Sequence, residues 1–367
     1  MKPVRVLVVD DSALTRKVLA RGLARDPAIE VVATAADPFL ARDEIVAREP
    51  DVMTLDLEMP RMDGLSFLRK LMPQHPMPVV IVSSLCQQGQ QVTLEALRAG
   101  AVDFVLKPTP ESGRGIEEML DELREKVKIA AHTEPRVVEP SRAGVVEPPR
   151  SSALAAVRDW VVAIGSSTGG PEALREVIQR FPSDMPAAIV VQHMPAGFTR
   201  SLAQSLDAVA AVTVKEAESG DELRCGRVLV APGGLQTRVV RTGEVYRVVC
   251  DPGAKVGGHA PSVDVMMKSV ARHVGRQAVG VVLTGMGRDG AAGLLAMKSA
   301  GAATVGQDEA TSLVYGMPKA AADCGAVDRV VPLQRVTATL VELLTERARE
   351  TNPERGRARR SGDALAG

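Results

Sequence analysis

The stretch Val4-Arg5-Val6-Leu7-Val8-Val9-Asp10-Asp11-Ser12 decides the reading of the first third of the chain. Val4–Val9 is a short β-rich run that stops at two carboxylates. Ala13–Ala24 then places its apolar residues at helical spacing. The same grammar recurs. Glu30–Ala33, Val52–Leu55, Val79–Val82 and Asp103–Leu106 are further short apolar runs with helical patterns between them, and a helix follows near Gly115–Lys128. Continuous apolar strands separated by helices predict a parallel sheet covered on both faces. The N-terminal domain, residues 1–128, is therefore expected to be a five-stranded doubly wound α/β fold.

From Thr133 to Pro149 the pattern breaks into repeated Pro and charge, the mark of an exposed linker, here given the bounds 129–157. Order resumes with a second alternation over residues 158–345. Strands are expected at Asp159–Gly165, Ala187–Gln192, Val228–Ala231, Val245–Val249, Ala278–Thr284, Thr304–Gln307 and Arg329–Pro332. Val228–Ala231 and Val245–Val249 are candidates for the arms of a hairpin. Helices are expected at Pro171–Phe181, Pro261–His273 and Gly290–Ala300. This too reads as a parallel-sheet, doubly wound α/β domain. Residues 346–367 read as a basic, disordered tail.

With 367 residues, two domains of ordinary size are expected. Aromatic residues make up only 2%, so the cores must be built from Val, Leu, Ala, Ile and Met. Forty-five basic residues balance forty-five acidic ones, which argues against a nucleic-acid partner. Cys86, Cys225, Cys250 and Cys324 form no CxxC pair, which disfavours a disulfide framework or a zinc site. The N-terminus lacks a signal-peptide core and no apolar run approaches the ~20 residues of a membrane span, so a cytoplasmic protein without membrane insertion is expected.

Two groups of residues carry chemistry. In an open parallel sheet, ligands collect at the carboxyl ends of the strands. Asp10, Asp11, Asp56, Ser83 and Lys107 all follow strand ends, so they should converge on one edge. Three carboxylates together call for a cation, and hard oxygen ligands suit Mg²⁺. Lys107 adds a fixed positive charge and Ser83 a hydroxyl donor.

The second group begins at Val161-Val-Ala-Ile-Gly-Ser-Ser-Thr-Gly-Gly-Pro171, a strand, a turn of small residues and a helix start. Backbone N–H groups at such a turn can hold an anion. The chemistry is either phosphate binding or a serine nucleophile beside an oxyanion hole. The glycine spacing matches neither the dinucleotide fingerprint nor a P-loop, and it also lacks the GxSxG elbow. A serine nucleophile needs a base and an orienting carboxylate. His193 follows a strand end, and His259, in Gly-Gly-His-Ala-Pro-Ser, is its rival. Asp289, in a glycine-rich loop after a strand, is the orienting candidate, with Asp264 and Asp308 as alternatives.

Val-Val-Asp-Asp-Ser, Leu-Asp-Leu-Glu-Met-Pro-Arg-Met-Asp-Gly, Val-Ser-Ser and Leu-Lys-Pro resemble two-component response-regulator receivers, of flavodoxin-like fold, over residues 3–128. The resemblance implies that Asp56 accepts phosphate from a chemotaxis histidine kinase. It also implies that Asp10, Asp11 and Asp56 hold Mg²⁺, and that Ser83 and Phe104, with Lys107, form the switch that responds to phosphate.

Gly-Ser-Ser-Thr-Gly-Gly, Gln-His-Met-Pro-Ala-Gly-Phe-Thr, Ala-Pro-Gly-Gly, Pro-Ser-Val-Asp and Leu-Thr-Gly-Met-Gly-Arg-Asp-Gly resemble the catalytic domain of chemotaxis protein-glutamate methylesterases, the CheB family. That resemblance implies a phosphorylation-regulated carboxylic ester hydrolase that also deamidates glutamines. Its substrates would be the cytoplasmic domains of methylated chemoreceptors. It implies Ser167 as nucleophile, His193 as base and Asp289 as orienter, with Thr168, Gly169 and Met286 near the oxyanion. It implies no cofactor in the catalytic domain.

Overall fold

In the computed structural model, residues 2–84, 87–108, 115–134 and 154–351 are described. Cys86, most of the Pro-rich segment and the tail beyond residue 351 lie outside the described residues. The chain divides into two compact units, Met1–Gly144 and Val145–Gly367.

The first unit alternates β1 (Val4–Val9), α1 (Ala13–Leu23), β2 (Ile29–Ala35), α2 (Pro38–Arg48), β3 (Val52–Asp56) and α3 (Gly64–Gln74). It continues with β4 (Val79–Ser83), α4 (Gln87–Arg98), β5 (Asp103–Leu106) and α5 (Ile116–Ala130). Its five strands lie in the order β2-β1-β3-β4-β5, all parallel. Every residue of β3, β4 and β5 is buried, as expected for strands covered on both faces. Three helices are started by their own caps. Ser12 Oγ accepts from Thr15 N, Asp37 from Phe39 N and Leu40 N, and Asp63 from Ser66 N. The order of the strands reverses between β1 and β3, so Asp10, Asp11 and Asp56 flank the switch point where such sheets bind ligands.

The second unit opens with a short 3-10 turn at Leu154–Val157, then β6 (Val161–Ser166), α6 (Gly170–Ile178), β7 (Ala187–Gln192) and α7 (Phe198–Asp207). Strands β8 (Thr213–Glu216), β9 (Arg227–Val230), β10 (Gln236–Thr242) and β11 (Val245–Asp251) follow. The remainder is α8 (Val263–His273), β12 (Ala278–Val282), α9 (Ala291–Ser299), β13 (Ala303–Gln307), α10 (Met317–Asp323), β14 (Arg329–Val331) and α11 (Val336–Thr351). Seven strands form one parallel sheet in the order β14-β13-β12-β6-β7-β9-β8. The switch point lies between β6 and β12, flanked by the ends of β6, β7 and β12.

The core of this unit joins the sheet to α8, α9 and the hairpin through side chains such as Val161, Ile189, Leu229, Met266 and Leu294. Ile164, in the middle of the sheet, is fully buried, so truncation to Ala should cost about 2–5 kcal/mol. Helix α8 presses on β6 at Gly165, where a Cβ would come within 2.2 Å of Val263 Cγ1. That close approach brings the first turn of α8 to the strand that carries the serine turn.

Three sequence expectations are corrected. The hairpin partner of β11 is β10, paired antiparallel from Gln236↔Asp251 to Thr242↔Val245, whereas β9 is a parallel strand between β7 and β8. Strand β10, Gln-Thr-Arg-Val-Val-Arg-Thr, exposes most of its polar residues and so lacks the apolar run that marks the sheet strands. The residues given to a disordered tail begin inside α11, which runs to Thr351 and buries Leu343, Leu344 and Ala348. Finally, Leu154 and Val157, assigned to the linker, are fully buried and belong to the second unit. A four-residue turn, Leu-Ala-Ala-Val, is too short a signal to stand out beside a Pro-rich stretch.

Candidate active site and acidic cluster

In the first unit, one oxygen from each of Asp10, Asp11 and Asp56 lies within 4.8 Å of the others. Asp10 and Asp56 are buried and Asp11 is exposed, so the cluster opens to solvent on one side. Lys107 Nζ donates to Asp56 Oδ2 at 2.7 Å and lies 2.9 Å from Asp10 Oδ2. The second contact is ionic without being a directed hydrogen bond. Asp10 Oδ2 is buried and has no hydrogen-bond partner among the described residues. Three carboxylates gathered beside one ammonium fit a hard divalent cation.

Burial pushes the Asp56 carboxyl above its ordinary value and Asp10 adds to that, outweighing the pull of Lys107. Burial lowers Lys107, but the Asp56 hydrogen bond and the negative charges of Asp56 and Asp10 outweigh it and hold the ammonium above its ordinary value. Ser83 is buried at the end of β4, where its Oγ accepts from Thr93 Oγ1 at 2.7 Å. Phe104 is buried on β5 with Lys126 Nζ 5.3 Å from its ring centre.

In the second unit, three adjacent strand ends meet. Ser167 follows β6, His193 follows β7, and Asp289 lies in the loop between β12 and α9. Ser167 N donates to Thr284 O at 3.0 Å, and His193 N donates to Ser166 O at 3.1 Å. His193 Nε2 lies 2.8 Å from Asp289 Oδ2, with both side chains buried.

Asp289 sits at the N-terminus of α8. Its carboxylate accepts from Val263 N at 2.8 Å, Asp264 N at 3.0 Å, Gly290 N at 3.1 Å and Ser262 Oγ at 2.9 Å. Burial alone would raise this group, but His193 and the backbone N–H groups overcome it and hold the pKa down to about 2. Asp289 is therefore ionised, so the proton of the neutral imidazole resides on Nε2. The bare nitrogen is Nδ1, which is buried and has no partner among the described residues.

The alternatives left open by the sequence separate here. The His259 ring stacks on His193 with centroids 3.7 Å apart and planes 4° off parallel, while His193 is the histidine bonded to Asp289. Asp264 caps α9, accepting from Gly290 N at 2.9 Å and Gly293 N at 2.7 Å. Asp308 accepts from Thr311 N at 3.0 Å in the loop after β13. Ser166 is fully buried and its Oγ is taken by Gln192, whereas Ser167 is partly exposed. Thr168 O accepts from Thr284 Oγ1 at 3.0 Å, and Gly169 caps α6 in the left-handed region at φ 75. Met286 is partly exposed in the loop that follows β12.

Residues 162–340 match the CheB methylesterase family, and residues 6–119 match the response regulator receiver domain. A protein-glutamate methylesterase/protein-glutamine glutaminase of Syntrophotalea carbinolica is 55% identical over 352 residues, covering 94% of this chain and 99% of that protein. The chain belongs to the CheB methylesterase family. A relative of the same description from Sulfurimonas denitrificans is 52% identical over 349 residues, covering 94% of this chain and 99% of that protein. Among solved structures, the catalytic domain of the Thermotoga maritima CheB methylesterase is 38% identical, with a TM-score of 0.49, covering 50% of this chain and 98% of that one. None of the described helices is long and apolar enough to cross a membrane.

Sequence reasoning missed Ser262, Gln192 and Thr284, the groups that hold this CheB-type site together. Ser262 was within reach, because a Ser before a helical pattern is an N-cap signal. Gln192 and Thr284 act through bonds between distant strands, and nothing local marks them.

Proposed function

We propose that this chain hydrolyses glutamate methyl esters, and deamidates glutamines, on chemoreceptor cytoplasmic domains at Ser167, under control of phosphorylation at Asp56. The observation that carries the reading is the bare Nδ1 of His193. It is held at the strand end next to Ser167 by a carboxylate that stays ionised.

Ser167 Oγ attacks the ester carbonyl carbon while His193 Nδ1 takes the hydroxyl proton. Asp289 accepts from Nε2 and stabilises the imidazolium that forms. The tetrahedral adduct collapses as His193 returns the proton to the leaving oxygen, and methanol departs. Water then loses a proton to Nδ1 and attacks the acyl-serine, releasing free glutamate and restoring Ser167. With a glutamine side chain the same steps expel ammonia. The Met286 N–H, which has no hydrogen-bond partner among the described residues, supports a role as an oxyanion donor beside Thr168 and Gly169. One such donor is worth roughly 3–4 kcal/mol of transition-state stabilisation.

In the first unit, Asp56 is the phosphate acceptor. Asp10, Asp11 and Asp56 would hold Mg²⁺. When bound, that cation neutralises charge on the phosphoryl group. Lys107 holds Asp56 in place and supplies a fixed positive charge. A chemotaxis histidine kinase is the phosphodonor, and Ser83 and Phe104 respond to the new phosphate.

Methylated receptor incubated with the chain should release methanol, and receptor bearing the corresponding glutamines should release ammonia. A preparation that accepts phosphate from acetyl phosphate yet releases neither product contradicts the reading.

A further inference from the structure

Ser166 and Gln192 face each other across β6 and β7, at the last paired position of the two strands. Beyond it the strands diverge into the loops that carry Ser167 and His193. Gln192 is 2% exposed and Ser166 is fully buried, so neither meets substrate. Ser166 Oγ donates to Gln192 Oε1 at 2.7 Å. Gln192 Nε2 donates to Ser167 O at 2.8 Å and to His193 O at 3.3 Å. Ser167 O also accepts from Gly170 N at 2.7 Å. The space for the amide exists because residue 170 is glycine. A Cβ there would lie 1.9 Å from Gln192 Oε1 and 2.9 Å from Ser166 Cβ.

We infer that Gln192 is a positioning residue that ties the backbone of the nucleophile to the backbone of the base, and that Ser166 holds its amide oxygen. The inference rests on Ser167 and His193 having the roles given above. Its physical basis is that an amide can turn about its last bond. With the ends exchanged, Oε1 would face two carbonyl oxygens. Those carbonyls only accept, so they fix both N–H groups toward themselves, and the Ser166 hydroxyl satisfies the buried Oε1 that results. The two catalytic groups stand on separate loops, and a misplacement of about 1 Å between reacting groups can cost about 100-fold in rate. The first serine of the pair thus acts through Gln192 and leaves the chemistry to the second.

The test uses the full chain with methylated receptor, rates being normalised to folded protein by thermal unfolding. Gln192→Met keeps the volume and removes both donors. It should lower kcat about 10- to 100-fold with KM within about threefold. Ser166→Ala leaves the amide but removes the donor to its buried Oε1, and should lower kcat about 3- to 10-fold. The double variant should be no slower than Gln192→Met, because the two act as one unit. Changes in kcat of less than twofold in both single variants, or fully multiplicative losses in the double variant, overturn the inference. If Gln192→Met does not fold, the kcat of Ser166→Ala at unchanged KM decides. Ser167→Ala is measured in the same series. Activity surviving in it rejects the nucleophile assignment itself, whereas an inactive Ser167→Ala beside a near wild-type Gln192→Met rejects only the clamp.

Discussion

Asp56 and Asp289 occupy equivalent places in two different sheets, and their surroundings drive them in opposite directions. Asp56 ends β3 and Asp289 lies in the loop after β12, each strand flanking the switch point of its own parallel sheet. Asp56 accepts one backbone N–H, from Glu58 at 3.2 Å, and shares its ammonium with a second buried carboxylate. Burial prevails and its pKa is raised. Asp289 accepts three backbone N–H groups, a hydroxyl and an imidazole, and its pKa falls to about 2. The difference separates a carboxylate that must react from one that must not. A buried carboxylate in a cluster that opens to solvent at Asp11 suits an incoming phosphoryl group. A carboxylate saturated with donors at a helix N-terminus is a fixed negative charge for a neighbouring imidazolium.

The largest expected effect comes from removing that fixed charge. Asp289→Asn keeps the shape but offers His193 an amide, which permits the wrong tautomer. Ester hydrolysis should fall by on the order of 10⁴-fold, read as kcat of methanol release. A loss below about tenfold would mean that the carboxylate charge does not support the imidazolium. Ser262→Ala removes one donor to Asp289 and the N-cap of α8 together. It should slow hydrolysis several-fold and lower stability by about 1–2 kcal/mol in urea unfolding.

The two carboxylates should also answer pH with opposite signs. The folded pKa of Asp289 is depressed, so its stabilisation is complete above the ordinary value of 3.8 and is lost as pH falls toward about 2. The full contribution is about 2 kcal/mol. The stability advantage of the wild type over Asp289→Asn, followed by urea unfolding, should therefore shrink across that window. The folded pKa of Asp56 is raised, so its contribution is present at acid pH and is lost as pH rises through the folded value. At neutral pH its ionised form is a cost. Asp56→Asn should accordingly raise the unfolding temperature of the first unit. The same variant should lose any stimulation by acetyl phosphate. An unchanged or lower unfolding temperature would break the contrast between the two sites.

Much of this was legible because chemistry at strand ends leaves short, local marks. Asp10, Asp11, Asp56 and Lys107 each follow an apolar run, and the sheet brings them together. Ser167, His193 and Asp289 do the same in the second unit. The parts that stayed hidden depend on contacts between distant segments. His259 was visible as a histidine between glycines and a proline, but its stacking on His193 belongs to the folded loop. The direction of the Asp289 shift needed the first turn of α8, brought in by the contact of Val263 with Gly165. The hairpin strand β10 escaped because five of its seven residues are polar, which leaves it no apolar run. The buried turn Leu154–Val157 escaped because it is too short to show a period.

The most direct test compares methanol release from methylated receptor by the full chain, by Ser167→Ala and by Ser166→Ala, each with acetyl phosphate present. The account predicts no enzymatic release from Ser167→Ala and a rate within about tenfold of wild type from Ser166→Ala. Near wild-type release from Ser167→Ala would contradict it.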